Sequence, residues 1–214
     1  MRTFSELEMD ALTEAFNLSL GEAASTFSAI VREEIELSVP TIELVSREEL
    51  THRLESAQPA GTTERLCRIN QRFAAAVGFQ TDALLLFPEH GSLEIVLRML
   101  GDDAAIEHIT ELEQDALAEI GNIIINSCMS SLANLFGTEM YGSLPRVQSR
   151  TARTLLDDKP ATDVILVARI GMTMAAHNLH GFVLFIMDVP SIEHFMDRVS
   201  SYFKLPQQNS GELV

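Results

Sequence analysis

The most regular feature of the chain is a helical spacing of apolar residues that occurs twice. Leu12, Phe16, Leu20, Ala23, Ala24, Phe27 and Val31 follow one another at steps of three and four, and so do Leu117, Ile120, Ile124, Cys128, Leu132 and Leu135. Such spacing puts each set on one face of a long helix. Both helices are expected to open on a capping box, Ser5 with Glu8 and Thr110 with Glu113. There the hydroxyl takes a free backbone N–H and the carboxylate bonds back to the cap. Gly137 is the expected stop of the second helix. Short alternating stretches that end in proline follow, Glu34 to Pro40 and Glu139 to Pro145, and read as strands. Arg65 to Phe73, Ala83 to Pro88, Asp163 to Met172 and Gly181 to Val189 are further strands. Ser92 to Leu100 and Ser191 to Phe203 read as short amphipathic helices with serine caps. Thr51 to Thr63, with Pro59 and Gly61, reads as a loop.

The two patterns are copies. Ser5 to Glu14 returns as Thr110 to Glu119 at a constant offset of 105 residues (115 less 10 for the aspartates), and the match runs on through Asn17/Asn122, Ser25/Ser130, Ser38/Ser143 and Pro40/Pro145. Each half reads helix, strands, helix, without the alternation of a parallel sheet. The expected fold is therefore α+β: a pseudo-twofold duplicated unit whose halves share one largely antiparallel sheet, with long helices packed on it. Residues 1–206 are expected to form one domain of two repeats, about 5–104 and 110–206, followed by a frayed polar tail at 207–214.

Composition narrows the function. A content of 46% hydrophobic and 21% charged residues suits a packed core and argues against disorder. The net charge of −16, from 31 acidic against 15 basic residues, repels polyanions. Nucleic acid and anionic membranes are therefore not expected partners, whereas a protein with exposed lysines is. Cys67 and Cys128 have no disulfide or metal spacing, the N-terminus lacks a signal core, and no spanning run of apolar residues is read, so a cytoplasmic location is expected. His177 and His180 lack further ligands at metal spacing and read as part of a turn. Ser130 and Ser131 lack a nucleophile-elbow context, and the nine methionines read as core filling.

One polar constellation remains. Asp10, Glu14 and Asn17, and again Asp115, Glu119 and Asn122, stand at i, i+4 and i+7, which is one stripe of a helix. Asparagine is a poor helix-interior residue, because its amide competes for backbone hydrogen bonds. Two readings follow from the residues: the amides bond neighbouring loops, or they serve a site. Asp10 and Asp115 favour the positive end of the helix dipole, and Pro40 and Pro145 shape strand ends; for these four the structural reading is preferred.

Asp-x3-Glu-x2-Asn followed by twenty-two residues and a proline, present twice, resembles the signature of the CheC/CheX/FliY family of CheY-phosphate phosphatases, and the duplicated layout is most similar to CheC. The resemblance implies a protein aspartyl-phosphate phosphatase acting on a CheY-like response regulator in chemotaxis signalling. Asn17 and Asn122 would orient the attacking water, and Glu14 and Glu119 would pair with a lysine of the partner. The chain would need no cofactor of its own, the regulator supplying Mg²⁺. The alternative is a non-catalytic binding module of the chemotaxis or flagellar switch apparatus, for example one that binds CheD. The second copy carries the family's glycine before the asparagine, Gly121, where the first has Phe16. If that glycine admits the partner's backbone and Phe16 obstructs it, both sites work and the second is the stronger.

Overall fold

The computed structural model describes residues 4–32, 34–56, 65–100, 111–156, 164–174 and 179–206. Helix α1 (Glu6–Val31) leads into β1 (Ile35–Leu37), β2 (Thr41–Ser46) and α2 (Arg47–Ser56). Strands β3 (Arg65–Ala75) and β4 (Gln80–Pro88) and helix α3 (Glu89–Leu100) complete the first half. The second half repeats the order with α4 (Glu111–Phe136), β5 (Met140–Gly142), β6 (Arg146–Thr151), a 3-10 turn at Ala152–Thr154, β7 (Val164–Met174), β8 (Leu179–Asp188) and α5 (Val189–Phe203).

All strands join one antiparallel sheet in the order β1-β7-β8-β4-β3-β5, with β2 continuing the β1 edge along β7 and β6 continuing the β5 edge along β3. The halves meet at β4 and β8, where Leu84 stands opposite Leu184. Edge strands of the first half thus pair with β7 of the second, and those of the second with β3 of the first. The expected fold class is what is found.

Strand parity separates two cores. Ala83, Leu85, Phe87, Ala168, Ile170, Val183 and Phe185 face the long helices, and with Leu12, Phe16, Leu20, Leu117, Ile120 and Ile124 they form the larger core. Leu84, Leu86, Ile165, Val167, Leu184 and Ile186 face the other way, onto Leu50 and Leu54 of α2 and Leu155 and Leu156. Burial on both faces explains why β4 reads as an unbroken apolar run. Among the described residues α4 is the one helix long and apolar enough to cross a bilayer, over Glu113–Phe136. Half of that stretch is buried in the core, which accounts for its apolarity.

Several local expectations change. The edge strands do not end at proline: each breaks there and resumes one residue later as β2 or β6. Residues 51–56, expected as the start of a loop, belong to α2, which begins at Arg47, and 57–64 lie outside the described residues. Ser92 does not cap α3, which begins at Glu89; its Oγ donates to the Glu89 carbonyl at 2.7 Å. The cap of α5 is Asp188, which accepts the Ser191 N–H at 3.0 Å, with Pro190 in the first turn where a missing N–H costs nothing. Ser191 Oγ instead takes the Gln80 N–H at 3.0 Å. The Ser5–Glu8 capping box is present in full. Thr110, the expected turn at His177 and the tail from 207 lie outside the described residues.

Candidate functional site

The two polar stripes occupy matching surroundings. Asp10 and Glu14 on α1 are exposed and Asn17 is half-buried; Asp115, Glu119 and Asn122 on α4 repeat that gradient. Each asparagine follows a buried residue that faces the core, Phe16 or Gly121, so each stripe runs along the border between core and solvent. The helix geometry places Glu one turn before Asn on an open face, where both side chains can reach a molecule docked against the helix.

Beside each stripe lies the break in the edge strand, and a serine makes it. Ser143 N–H donates to the Arg72 carbonyl at 2.8 Å, while Ser143 Oγ accepts the Arg72 N–H at 3.0 Å and donates to the Leu144 carbonyl at 3.1 Å. Ser38 repeats these bonds with Gly171 and Val39 at 2.9, 2.8 and 3.3 Å. The hydroxyl thereby replaces ladder bonds that the kink removes. Proline then carries the chain onward with no N–H to satisfy; Pro40 is buried and Pro145 half-buried. Between serine and proline each loop lifts an apolar side chain into solvent, Val39 at 68% and Leu144 at 86% exposure. The repeated Ser and Pro of the sequence pattern therefore have a structural basis.

The residues before the asparagines do not act as the sequence comparison of the two copies suggested. Phe16 is fully buried, 5.1 Å from Phe185 and 5.6 Å from Phe195 between ring centroids, and so points away from any partner. A Cβ on Gly121 would lie 2.3 Å from Ile69 Cγ2, so this glycine admits the helix to β3 rather than admitting a partner. The pairing registers explain the difference. Ile69 stands opposite Val147 as Ala168 stands opposite Ile42, so the bulky helix residue of one half is matched with the small strand residue of the other. Phe16 obstructs neither site.

Two residues that the sequence reading passed over join the second site. Gln71 Nε2 donates to Asn122 Oδ1 and to the Ser143 carbonyl, both at 3.1 Å, tying helix to kink. Asn126 Nδ2 donates to Asn122 Oδ1 and to the Asn122 carbonyl, both at 2.7 Å. Both left a signal: Gln71 interrupts the core-facing series Cys67, Ile69, Phe73, and Asn126 stands one turn beyond Asn122.

Other candidate groups are elsewhere. Cys67 and Cys128 are buried free thiols, and burial pushes the Cys67 thiol up to about 11, opposite to a reactive thiolate. His180, at the start of β8, has its Nδ1 3.2 Å from Thr173 Oγ1. Among the described residues no three His, Cys, Asp or Glu side chains gather as a metal site.

Comparison with known proteins bears on these features. The profile of the CheC-like family matches residues 112–148, which hold Asp115, Glu119, Asn122 and Pro145. The CheY-P phosphatase CheC of Bacillus subtilis (strain 168) is 27% identical over 146 residues, 66% of this chain and 66% of that protein. The flagellar motor switch phosphatase FliY of the same organism is 25% identical over 146 residues, 67% of this chain but 36% of FliY. The chain thus spans about two thirds of that CheC and about a third of that FliY. Thermotoga maritima FliY shares the fold, with a TM-score of 0.72 at 17% identity, covering 94% of this chain and 100% of the FliY chain. Profile and relatives alike make the chain similar to CheC-like proteins, and its fold is the one seen in FliY.

Proposed function

We propose that the chain is a protein aspartyl-phosphate phosphatase acting on a phosphorylated CheY-like response regulator, with one site on α1 and one on α4. The observation that carries this reading is the duplicated Glu/Asn pair, each with its glutamate exposed and its asparagine half-buried beside a serine–proline kink. Two chemically identical pairs at matching helix positions are more than a scaffold requires.

The chemistry asks little of the chain. Phosphoryl transfer is governed by positioning and by charge stabilisation, and the regulator brings the phosphorylated carboxylate and its Mg²⁺. Asn17 or Asn122 enters beside the phosphorus and holds a water in line. A neutral amide does this without taking a proton, and such orientation is worth roughly 10²-fold in rate. Glu14 or Glu119 pairs with a lysine of the regulator near the phosphoryl group and sets the depth of entry. The net charge of −16 draws in a regulator with a basic face and repels polyanions. Asp10 and Asp115, further back on each stripe, lie at the margin of the docked surface.

Decay of a ³²P-labelled CheY-like regulator is the test. The chain should accelerate it, Asn17→Ala and Asn122→Ala should each lose part of the effect, and the double variant should return decay to the regulator's own rate. The Asn122→Ala loss should be the larger. Acceleration that survives the double variant would remove these residues from the chemistry. No acceleration of any regulator would leave a binding module.

A further inference from the structure

Asn122 is held by two side chains for which Asn17 has no counterpart. The acceptors that fix them are unambiguous, because a backbone carbonyl can only accept. Gln71 Nε2 bonds the Ser143 carbonyl and Asn126 Nδ2 bonds the Asn122 carbonyl, which fixes the amino end of each amide. Each has a further hydrogen directed at Asn122 Oδ1, at 3.1 and 2.7 Å. That oxygen is the acceptor of both bonds, and Nδ2 is the end of the Asn122 amide left for another molecule.

On α1 the helix position of Asn126 belongs to Gly21, with open space beside it, and the repeat registers give Gln71's strand position to Ile170. Among the described residues no side-chain hydrogen bond to Asn17 is seen. Gln71 is moreover a costly choice. It is 1% exposed, and its Oε1 has no hydrogen-bond partner among the described residues, an arrangement that an aliphatic residue such as Ile170 avoids. A buried amide that lowers stability, and whose bonds go to Asn122 and to the Ser143 carbonyl of the kink, has its use in fixing that asparagine against the kink.

We infer that Gln71 and Asn126 are positioning residues that lock the Asn122 amide with Nδ2 outward, so that this site meets its partner with the amide already set and holds the attacking water by donating to the water oxygen. The inference rests on the reading of Asn122 as the water-orienting residue. The α1 site must freeze the Asn17 rotamer during each encounter, which makes it the slower of the two.

The experiment uses the whole chain in an Asn17→Ala background, which isolates the second site. Gln71→Leu and Asn126→Ala should each lower kcat for regulator dephosphorylation by roughly ten- to a hundredfold with KM within about twofold, and Gln71→Leu should leave the thermal midpoint unchanged or raise it. Gln71→Glu, whose carboxylate accepts from Nδ2 and turns the amide over, should lose as much as Gln71→Leu. An unchanged kcat in folded Gln71→Leu and Asn126→Ala variants would overturn the inference, as would a kcat loss that only follows a loss of stability. Side-chain ¹⁵N relaxation supplies a readout independent of activity: the Asn122 amide should be rigid, the Asn17 amide mobile, and Gln71→Leu should loosen Asn122 alone. Equal mobility of the two amides in the wild type would overturn the inference whether or not the chain is a phosphatase. A silent Asn17→Ala parent with a rigid Asn122 amide would instead count against the phosphatase reading while upholding the locked amide.

Discussion

Gly21 and Gly121 both sit inside long helices, yet adding one methyl to each should have opposite effects. Alanine is about 1 kcal/mol better than glycine in a helix interior. At Gly21 nothing lies within 4 Å, so Gly21→Ala should stabilise the chain by about that amount. At Gly121 the new methyl meets Ile69 Cγ2 at 2.3 Å. Overpacking of this kind costs about 1–3 kcal/mol, more than the helix gains, so Gly121→Ala should destabilise. Ile69→Leu, which moves the branch away from Cβ, should recover part of the loss in a double-mutant cycle read by denaturant midpoints. At this scale the sequence exposed Glu14, Asn17, Glu119 and Asn122, because polar residues at repeated spacing stand out against a helix. It hid Gln71, whose meaning depends on which strand lies under α4. It also misdirected Phe16, since a residue adjacent to a site in sequence points 100° away from it on a helix.

The elements were legible where their periodicity was long. Both 26-residue helices and all four long strands stand close to where their patterns put them. Helix α2 was not, because Leu50 and Leu54 are its only apolar residues and no stripe of three or more announces it. The edge strands were cut short at Pro40 and Pro145 because proline cannot join a ladder, and the pattern carried no sign that serine bonds would bridge the gap. Those bonds have a measurable worth. Ser38→Ala and Ser143→Ala should each destabilise by about 1 kcal/mol, seen as a lower denaturant midpoint at constant slope. Similar losses at the two positions would reflect the equivalence of the kinks; a loss at one alone would show that the other is held by different means.

For the molecule as a whole, each half depends on the other for its sheet. The edge strands of the first half pair with β7 and those of the second with β3, and Leu84 and Leu184 join the halves at the centre. We propose that residues 1–206 fold as a single cooperative domain. Residues 1–104 and 105–214 prepared separately should lack a cooperative thermal transition, and mixing them should restore one, as circular dichroism would record. A sharp transition in either fragment alone would show that the halves are separate domains. The duplication was legible from the constant offset of the copies; the exchange of edge strands between halves was not, because it rests on pairings far apart in the chain, such as Thr41 with Arg169 and Asn70 with Arg146.

The bulk exchange at the helix–sheet junctions has a consequence for how such halves choose partners. Phe16 and Ile69, the two large residues, both belong to the first half, and Gly121 and Ala168, the two small ones, to the second. Two first halves brought together in this geometry would set phenylalanine toward isoleucine at both junctions. Two second halves would leave both junctions hollow. Only the unlike pair fills each junction once, so steric selection against like-with-like assembly is written into four residues. The symmetry of the fold is thus kept in its backbone and given up in its core, and the chain is committed to being a pair of different halves.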